Sequence, residues 1–196
     1  FYFTTGEAAL AEWELINKMI AFHTKNGYQF VIPPYLVNKQ TATQSGILPK
    51  FEGEYYQTQE GLILVPTAET PLVGMHSDEV FREEDLPIKY VAFSPCFRKE
   101  AGAAGQRDKG LKRVHQFHKV ELFVICTPEQ SEQLHEEMVH QVKRLLKEFA
   151  KTFDEDMFEI REIELEPHDR APWSNKTVDI EITAINGEWL EVSSIS

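Results

Sequence analysis

The sequence predicts an α+β fold: a largely antiparallel β-sheet flanked by helices. Three observations predict it. A stripe of apolar residues at helical spacing runs through residues 7–23, two long β-prone runs at 88–97 and 114–125 are separated by a glycine-rich loop, and Asn186-Gly187 joins two further runs. Neither GxGxxG nor GxxxxGK[ST] is present, and the strands do not alternate regularly with helices, which argues against a doubly wound parallel sheet.

Each element has a local reason. Ala8, Leu10, Ala11, Leu15, Ile16, Met19, Ile20 and Phe22 fall on one side of a helix over 7–23. Gly27 interrupts, and the short run 28–32 reads as a strand halted by Pro33-Pro34, which cannot donate to a ladder. Residues 62–65, 88–97 and 114–125 read as strands. Thr127, Pro128 and Gln130 then supply an N-cap, a first-turn proline and a capping-box partner for a helix reaching about Lys151. Runs 178–185 and 188–194 flank Asn186-Gly187, which suits a type I′ hairpin.

With 196 residues, 42% hydrophobic and 27% charged, the chain is of a size to form a single domain over 1–196 that needs no cross-links. No apolar run approaches the roughly 18–20 residues of a membrane span, and a cytoplasmic location is expected. Cys96 and Cys126 are too few for a disulfide framework and are expected as packed thiols. The net charge of −12 argues against a grip on nucleic acid over the whole surface. Within that acidic chain, Arg98, Lys99, Arg107, Lys109, Lys112, Arg113 and Lys119 form one basic stretch, which points to a local anionic ligand; a solvated basic hairpin is the plainer alternative.

The chemistry concentrates in that stretch. Side chains alternate along a strand, so Arg98 and Glu100 share a face of one strand, while Arg113, Phe117 and Glu121 share a face of the next. Two forked guanidinium groups, an aromatic ring and two carboxylates suit a nucleotide beside an amino acid. His115 and His118, three apart, fall on opposite faces and do not form a shared metal site. Trp13, Trp173 and Trp189 read as packing aromatics. Asp154-Glu155-Asp156 reads as a solvated turn, and Glu181 as a sheet-surface carboxylate.

Phe97-Arg98-x-Glu100, a loop, then Arg113-Val114-His115-Gln116-Phe117-x-Lys119-Val120-Glu121 resembles motif 2 of the seryl branch of the class II aminoacyl-tRNA synthetases. The stretch from Gly27 through Pro33-Pro34 to Val37 resembles class II motif 1, a dimer-interface element. Thr67-Ala68-Glu69 resembles the family's serine-binding tripeptide, and Glu191-Val192-Ser193-Ser194 the strand segment that holds ATP and magnesium. The resemblance is weakest over 153–175, where the family commonly carries glycines.

The resemblance implies an ATP-dependent ligase that activates serine and transfers it to tRNA(Ser). Arg98, Glu100 and Glu191 would be catalytic. ATP would meet Arg98, Lys99, Glu100, Arg113, Val114, Phe117, Glu191, Val192, Ser193 and Ser194. Serine would meet Thr67, Ala68, Glu69, Arg98 and Glu121. Mg2+ would bind at Glu191. The implied partners are serine, tRNA(Ser) and a second copy of the chain, with no membrane. The family's N-terminal tRNA-binding arm and motif 3 have no counterpart in these residues, so a longer parent is expected. Two other readings are a non-catalytic synthetase-like dimerisation module and a carrier-protein aminoacyl ligase.

Overall fold

A computed structural model describes residues 2–100, 113–153, 158–184 and 186–196. The basic loop with Arg107, Lys109 and Lys112, and the acidic run 154–156, lie outside the described residues. The chain forms two compact units, Phe1–Ile125 and Cys126–Ser196.

In the first unit, helix α1 (Glu7–Lys25) precedes β1 (Gln29–Val31), β2 (Leu36–Val37), α2 (Lys39–Gln44), β3 (Ile63–Leu64), α3 (Glu69–Met75), β4 (Ile88–Phe97) and β5 (Gln116–Ile125). The central sheet has the order β1-β4-β5, and β2 pairs with β3 separately. Strands β4 and β5 are antiparallel in register over their full length. Strand β1 instead runs parallel to β4, a departure from a purely antiparallel sheet. After Pro33-Pro34 the chain leaves the sheet through β2, α2, β3 and α3, and a connection of that length lets it re-enter in the same direction.

Alternation divides the faces of this sheet. Tyr90, Ala92, Ser94 and Cys96 are buried on one, and Ala68 and Leu72 at the start of α3 pack with Tyr90 and Ala92 there. On the other face Trp13 of α1 meets the Phe93 ring edge-on at 5.6 Å, the packing role expected of that tryptophan.

In the second unit, α4 (Pro128–Phe153) leads to an antiparallel sheet of β6 (Ile160–Glu164), β7 (Val178–Thr183) and β8 (Trp189–Ile195), in the order β6-β7-β8. The helix starts as the sequence directs, with the Thr127 N–H donating to Gln130 Oε1 at 3.0 Å. Val139 of α4 packs with Val178, Ile180 and Ile195 to form the core. Strand β6 was not anticipated, because Arg161, Glu162 and Glu164 mask its alternation. Those charges are met from neighbouring elements, Arg161 by Glu181 on β7 at 2.5 Å and Glu162 by Lys143 on α4.

The β7–β8 hairpin forms, but its turn is not type I′. Gly187 donates to the Ala184 carbonyl at 2.8 Å, and Ala184 donates to that of Glu188 at 2.7 Å. The turn closed by these two hydrogen bonds ends on Gly187 at φ 80°. Gly187 takes the left-handed conformation, which glycine adopts without penalty, whereas a type I′ turn would require it of Asn186 as well.

Candidate active site

The β4–β5 register sets Cys96 opposite Phe117, Ser94 opposite Lys119 and Ala92 opposite Glu121. Directly paired residues project to the same side, so Phe117, Lys119 and Glu121 share one face with the end of β4. The Arg98 N–H donates to the His115 carbonyl at 3.0 Å, which extends the pairing beyond β4. The Arg98 guanidinium lies 5.1 Å from the centre of the Phe117 ring. The expected neighbourhood of Arg98 and Phe117 is thus present, with a cation held over an aromatic face.

Beyond β4 the backbone turns sharply. Glu100 has φ 52°, a left-handed conformation uncommon outside glycine, and its carboxylate accepts from Arg113 Nε at 2.6 Å. Arg113 and Glu100 therefore meet each other. Lys99 is exposed and its N–H donates to the Glu54 carbonyl at 3.0 Å. Val114, half-buried, lies just before β5. The Tyr56 hydroxyl and His115 Nδ1 lie 3.0 Å apart on this side, whereas His118 projects to the α1 side, its Nδ1 2.8 Å from Glu12 Oε1. The two histidines occupy opposite faces as their spacing predicts.

A second cluster lies further along the Phe117 face. The Thr67 hydroxyl donates to Glu121 Oε2 at 2.5 Å and accepts from Lys119 Nζ at 2.7 Å and from the Glu69 N–H at 3.3 Å. Lys119 Nζ also stands 2.6 Å from Glu121 Oε2. Burial pushes the Glu69 carboxyl above its ordinary pKa, repulsion from Glu121 adds to this, and Lys119 opposes both. Ala68 is fully buried against Leu72, Tyr90 and Ala92, so its side chain packs in the core and its backbone is what borders the cluster. Burial likewise pushes the Cys96 thiol up, which leaves it a packed, protonated group, as expected of it. In the sequence Lys119 stands among the basic residues and inside the stretch that resembles motif 2, with no role of its own. Its place two residues before Glu121 and two after Phe117 was the signal that put it in this cluster.

The remaining candidates lie in the second unit on β8. Glu181 pairs with Glu191, but Ile180 pairs with Ser193, so Val192 is an extra residue and forms a β-bulge. In a regular strand Glu191 and Ser194 would face opposite ways. The bulge places both on the side that carries Asp179 and Glu181, where both are exposed, while Ser193 turns with Ile180 toward α4. Glu181 is more than a bare surface carboxylate: Arg161 Nε donates to it at 2.6 Å and lies over the Trp189 ring at 4.1 Å. One carboxylate oxygen of Asp179, opposite Ser194, is buried with no hydrogen-bond partner among the described residues.

Comparison with known proteins follows this geometry. Residues 50–196 match the sequence model of the tRNA synthetase class II core domain (G, H, P, S and T), a match that runs through both units. The serine–tRNA ligase of Chlamydia trachomatis serovar L2 is 42% identical over 195 residues, covering 97% of this chain and 44% of that protein. That of Chlamydia felis is 43% identical over the same shares. Among solved structures, Pyrococcus horikoshii seryl-tRNA synthetase complexed with ATP superposes with a TM-score of 0.90 at 38% identity, covering 99% of this chain and 42% of that one. The cytoplasmic serine-tRNA ligase of Naegleria fowleri in complex with AMP gives 0.88 at 30% identity, covering 98% and 45%. The chain thus spans under half the length of these relatives. With three quarters of its residues matched, the chain belongs to the tRNA synthetase class II core domain family.

Proposed function

We propose that this chain is the catalytic core of a ligase that activates serine with ATP and transfers it to tRNA(Ser). The observation that carries the proposal is the arrangement along one face of β5: Phe117 under Arg98, then Lys119 and Glu121 tied to Thr67. Adenine stacks on Phe117, the guanidinium of Arg98 takes the α-phosphate, and the Thr67–Glu69–Glu121 cluster takes the amino acid. The relatives named for serine, and the solved relatives holding ATP and AMP, support the same ligands here.

In the first step a serine carboxylate oxygen bonds to the α-phosphorus as the bond to the pyrophosphate oxygen breaks. In the second, a hydroxyl of the terminal adenosine of tRNA attacks the seryl carbonyl and AMP leaves. Neither step needs a protein nucleophile. Arg98 offsets charge that builds on the phosphate, and the paired carboxylates hold serine for an in-line approach. Glu100, fixed against Arg113, orders the nucleotide side of the site together with Lys99 and the backbone at Val114.

A magnesium ion suits the second unit's bulged strand. Glu191 and Ser194 offer oxygen donors on one face, and the buried oxygen of Asp179 without a partner is a further hard acceptor there. When bound, the ion supplies charge neutralisation for the ATP phosphates, with Val192 and Ser193 as the adjoining backbone. In this reading residues 1–196 act as one partial aminoacylation domain in a cytoplasmic homodimer. Exposed Phe30, Ile32 and Leu36 around the proline corner support a partner copy covering that stretch. Among the described residues no helix is long and apolar enough to cross a membrane.

The test is amino-acid-dependent ATP–pyrophosphate exchange with magnesium, run on all twenty amino acids. It uses this chain and a form extended past Ser196 to the length of its relatives. Exchange selective for serine in the longer form is expected. No exchange with any amino acid in either form points instead to a non-catalytic synthetase-like module.

A further inference from the structure

We propose that Lys119 is a positioning residue of the amino-acid subsite: its ammonium ties the Thr67 hydroxyl to the Glu121 carboxylate and so fixes two groups that meet the substrate. The inference deepens the seryl reading and rests on it. Lys119 lies within the stretch that resembles motif 2, but that resemblance gives it no role.

The geometry is specific. Thr67 and Glu121 are 54 residues apart in sequence and on different elements, yet one Lys119 Nζ lies 2.7 Å from the first and 2.6 Å from the second. With Lys119 and the Glu69 N–H both donating to it, Thr67 Oγ1 directs its single proton to Glu121. This defines the orientation of the hydroxyl and of the carboxylate. An ordinary exposed lysine pair holds little, because two long side chains lose freedom for a screened attraction. Here the lysine and glutamate side chains are only 31% and 20% exposed, and the ammonium holds two partners, Thr67 and Glu121, instead of one.

Charge gives the same residue a second effect. Glu69 and Glu121 are like charges in a partly buried space, and Lys119 is the cation that offsets their repulsion at Glu69. Among the described residues the other ionisable groups beside Lys119 and Glu121 are Cys96 on β4 and Arg98 just beyond its end. Removal of Lys119 leaves two carboxylates that resist being ionised together, just where a substrate ammonium needs them ionised.

The test compares Lys119→Met and Lys119→Arg with the wild type. In the exchange-competent form, Lys119→Met is expected to raise the serine KM by about tenfold or more while the ATP KM stays within about twofold. The acid limb of kcat/KM for serine moves to higher pH, because Glu69 loses the cation that holds its pKa down, and Lys119→Arg returns the limb toward its original place. Carboxyl titration of Glu69 by NMR in the folded chain gives the same shift without reference to activity. Unchanged titration together with an unchanged serine KM overturns the role of Lys119. A shifted titration in a protein with no serine-dependent exchange keeps Lys119 as the organiser of this cluster and removes the seryl reading alone.

Discussion

Arg98→Ala separates chemistry from folding more sharply than any other change at this site. Arg98 is exposed, and its side chain's described contact is the Phe117 ring at 5.1 Å. An exposed cation–π pair contributes about 0.5–1 kcal/mol. In a domain of this size that corresponds to a fall of roughly 2–4 °C in Tm at most. A group that offsets charge developing in a transition state contributes more, about 2.7–4 kcal/mol per donor, or a factor of about 100–1,000 in rate. The expected result is therefore a loss of two to three orders of magnitude in serine-dependent exchange from a protein that melts within a few degrees of the wild type. Arg98→Lys keeps the charge but not the planar fork and is expected to recover little of the loss. Exchange by Arg98→Ala at the wild-type rate refutes the placement of the α-phosphate. A loss of exchange matched by a large drop in Tm refutes the claim that Arg98 serves chemistry more than folding.

Three further changes test other parts of the account. Glu69→Gln removes a carboxyl whose pKa is raised by burial and by Glu121. A raised carboxyl stabilises the fold while protonated and loses that contribution as pH rises through its folded pKa, so the variant is expected to melt about 2–4 °C higher than wild type at pH 7. This advantage shrinks as the pH falls toward 4, and thermal melts across that range check the sign. Serine-dependent exchange by the same variant is expected to fall at least about tenfold. Gly74→Ala places a Cβ 2.7 Å from the Thr41 methyl group, where α3 meets α2, and is expected to cost about 1–3 kcal/mol by denaturant melts. Ile180→Ala empties a fully buried position under α4 and is expected to cost about 2–5 kcal/mol, read by loss of the second unit's cooperative transition.

The parts of the fold that were legible in the sequence are those with a local cause. Strand β4 runs over Ile88–Phe97 as read, because its β-prone residues continue on both sides of Ser94-Pro95 and end against a loop. The start of α4 is written in Thr127, Pro128 and Gln130, and the hydrogen bond from Thr127 to Gln130 forms. The nearness of Arg98 and Phe117 followed from strand parity once the two long strands were paired. What was not legible depends on partners distant in sequence. Strand β6 carries charges that discourage the reading until Glu181 and Lys143 are placed opposite them. The parallel pairing of β1 depends on where the chain re-enters the sheet. The turn is set by the register of β7 and β8, and Asn186-Gly187 fits more than one turn geometry. Lys119 was visible by spacing alone, yet its meaning required Thr67 to be brought beside it.

The bulge at Val192 has a consequence for how variation in this strand is to be read. Val192 is 45% exposed and pairs with no residue of β7, so a different side chain there changes little. Losing the residue altogether would remove the bulge and leave Glu191 and Ser194 two positions apart in a regular strand, still on one side of the sheet. At this position the facing of those two groups constrains neither the side chain nor the presence of the extra residue, which is unusual for a stretch between two site residues. Substitutions at Val192 and a single-codon deletion there are both expected to keep the Glu191 and Ser194 oxygens on one face, whereas straightening the strand with Val192 retained would part them.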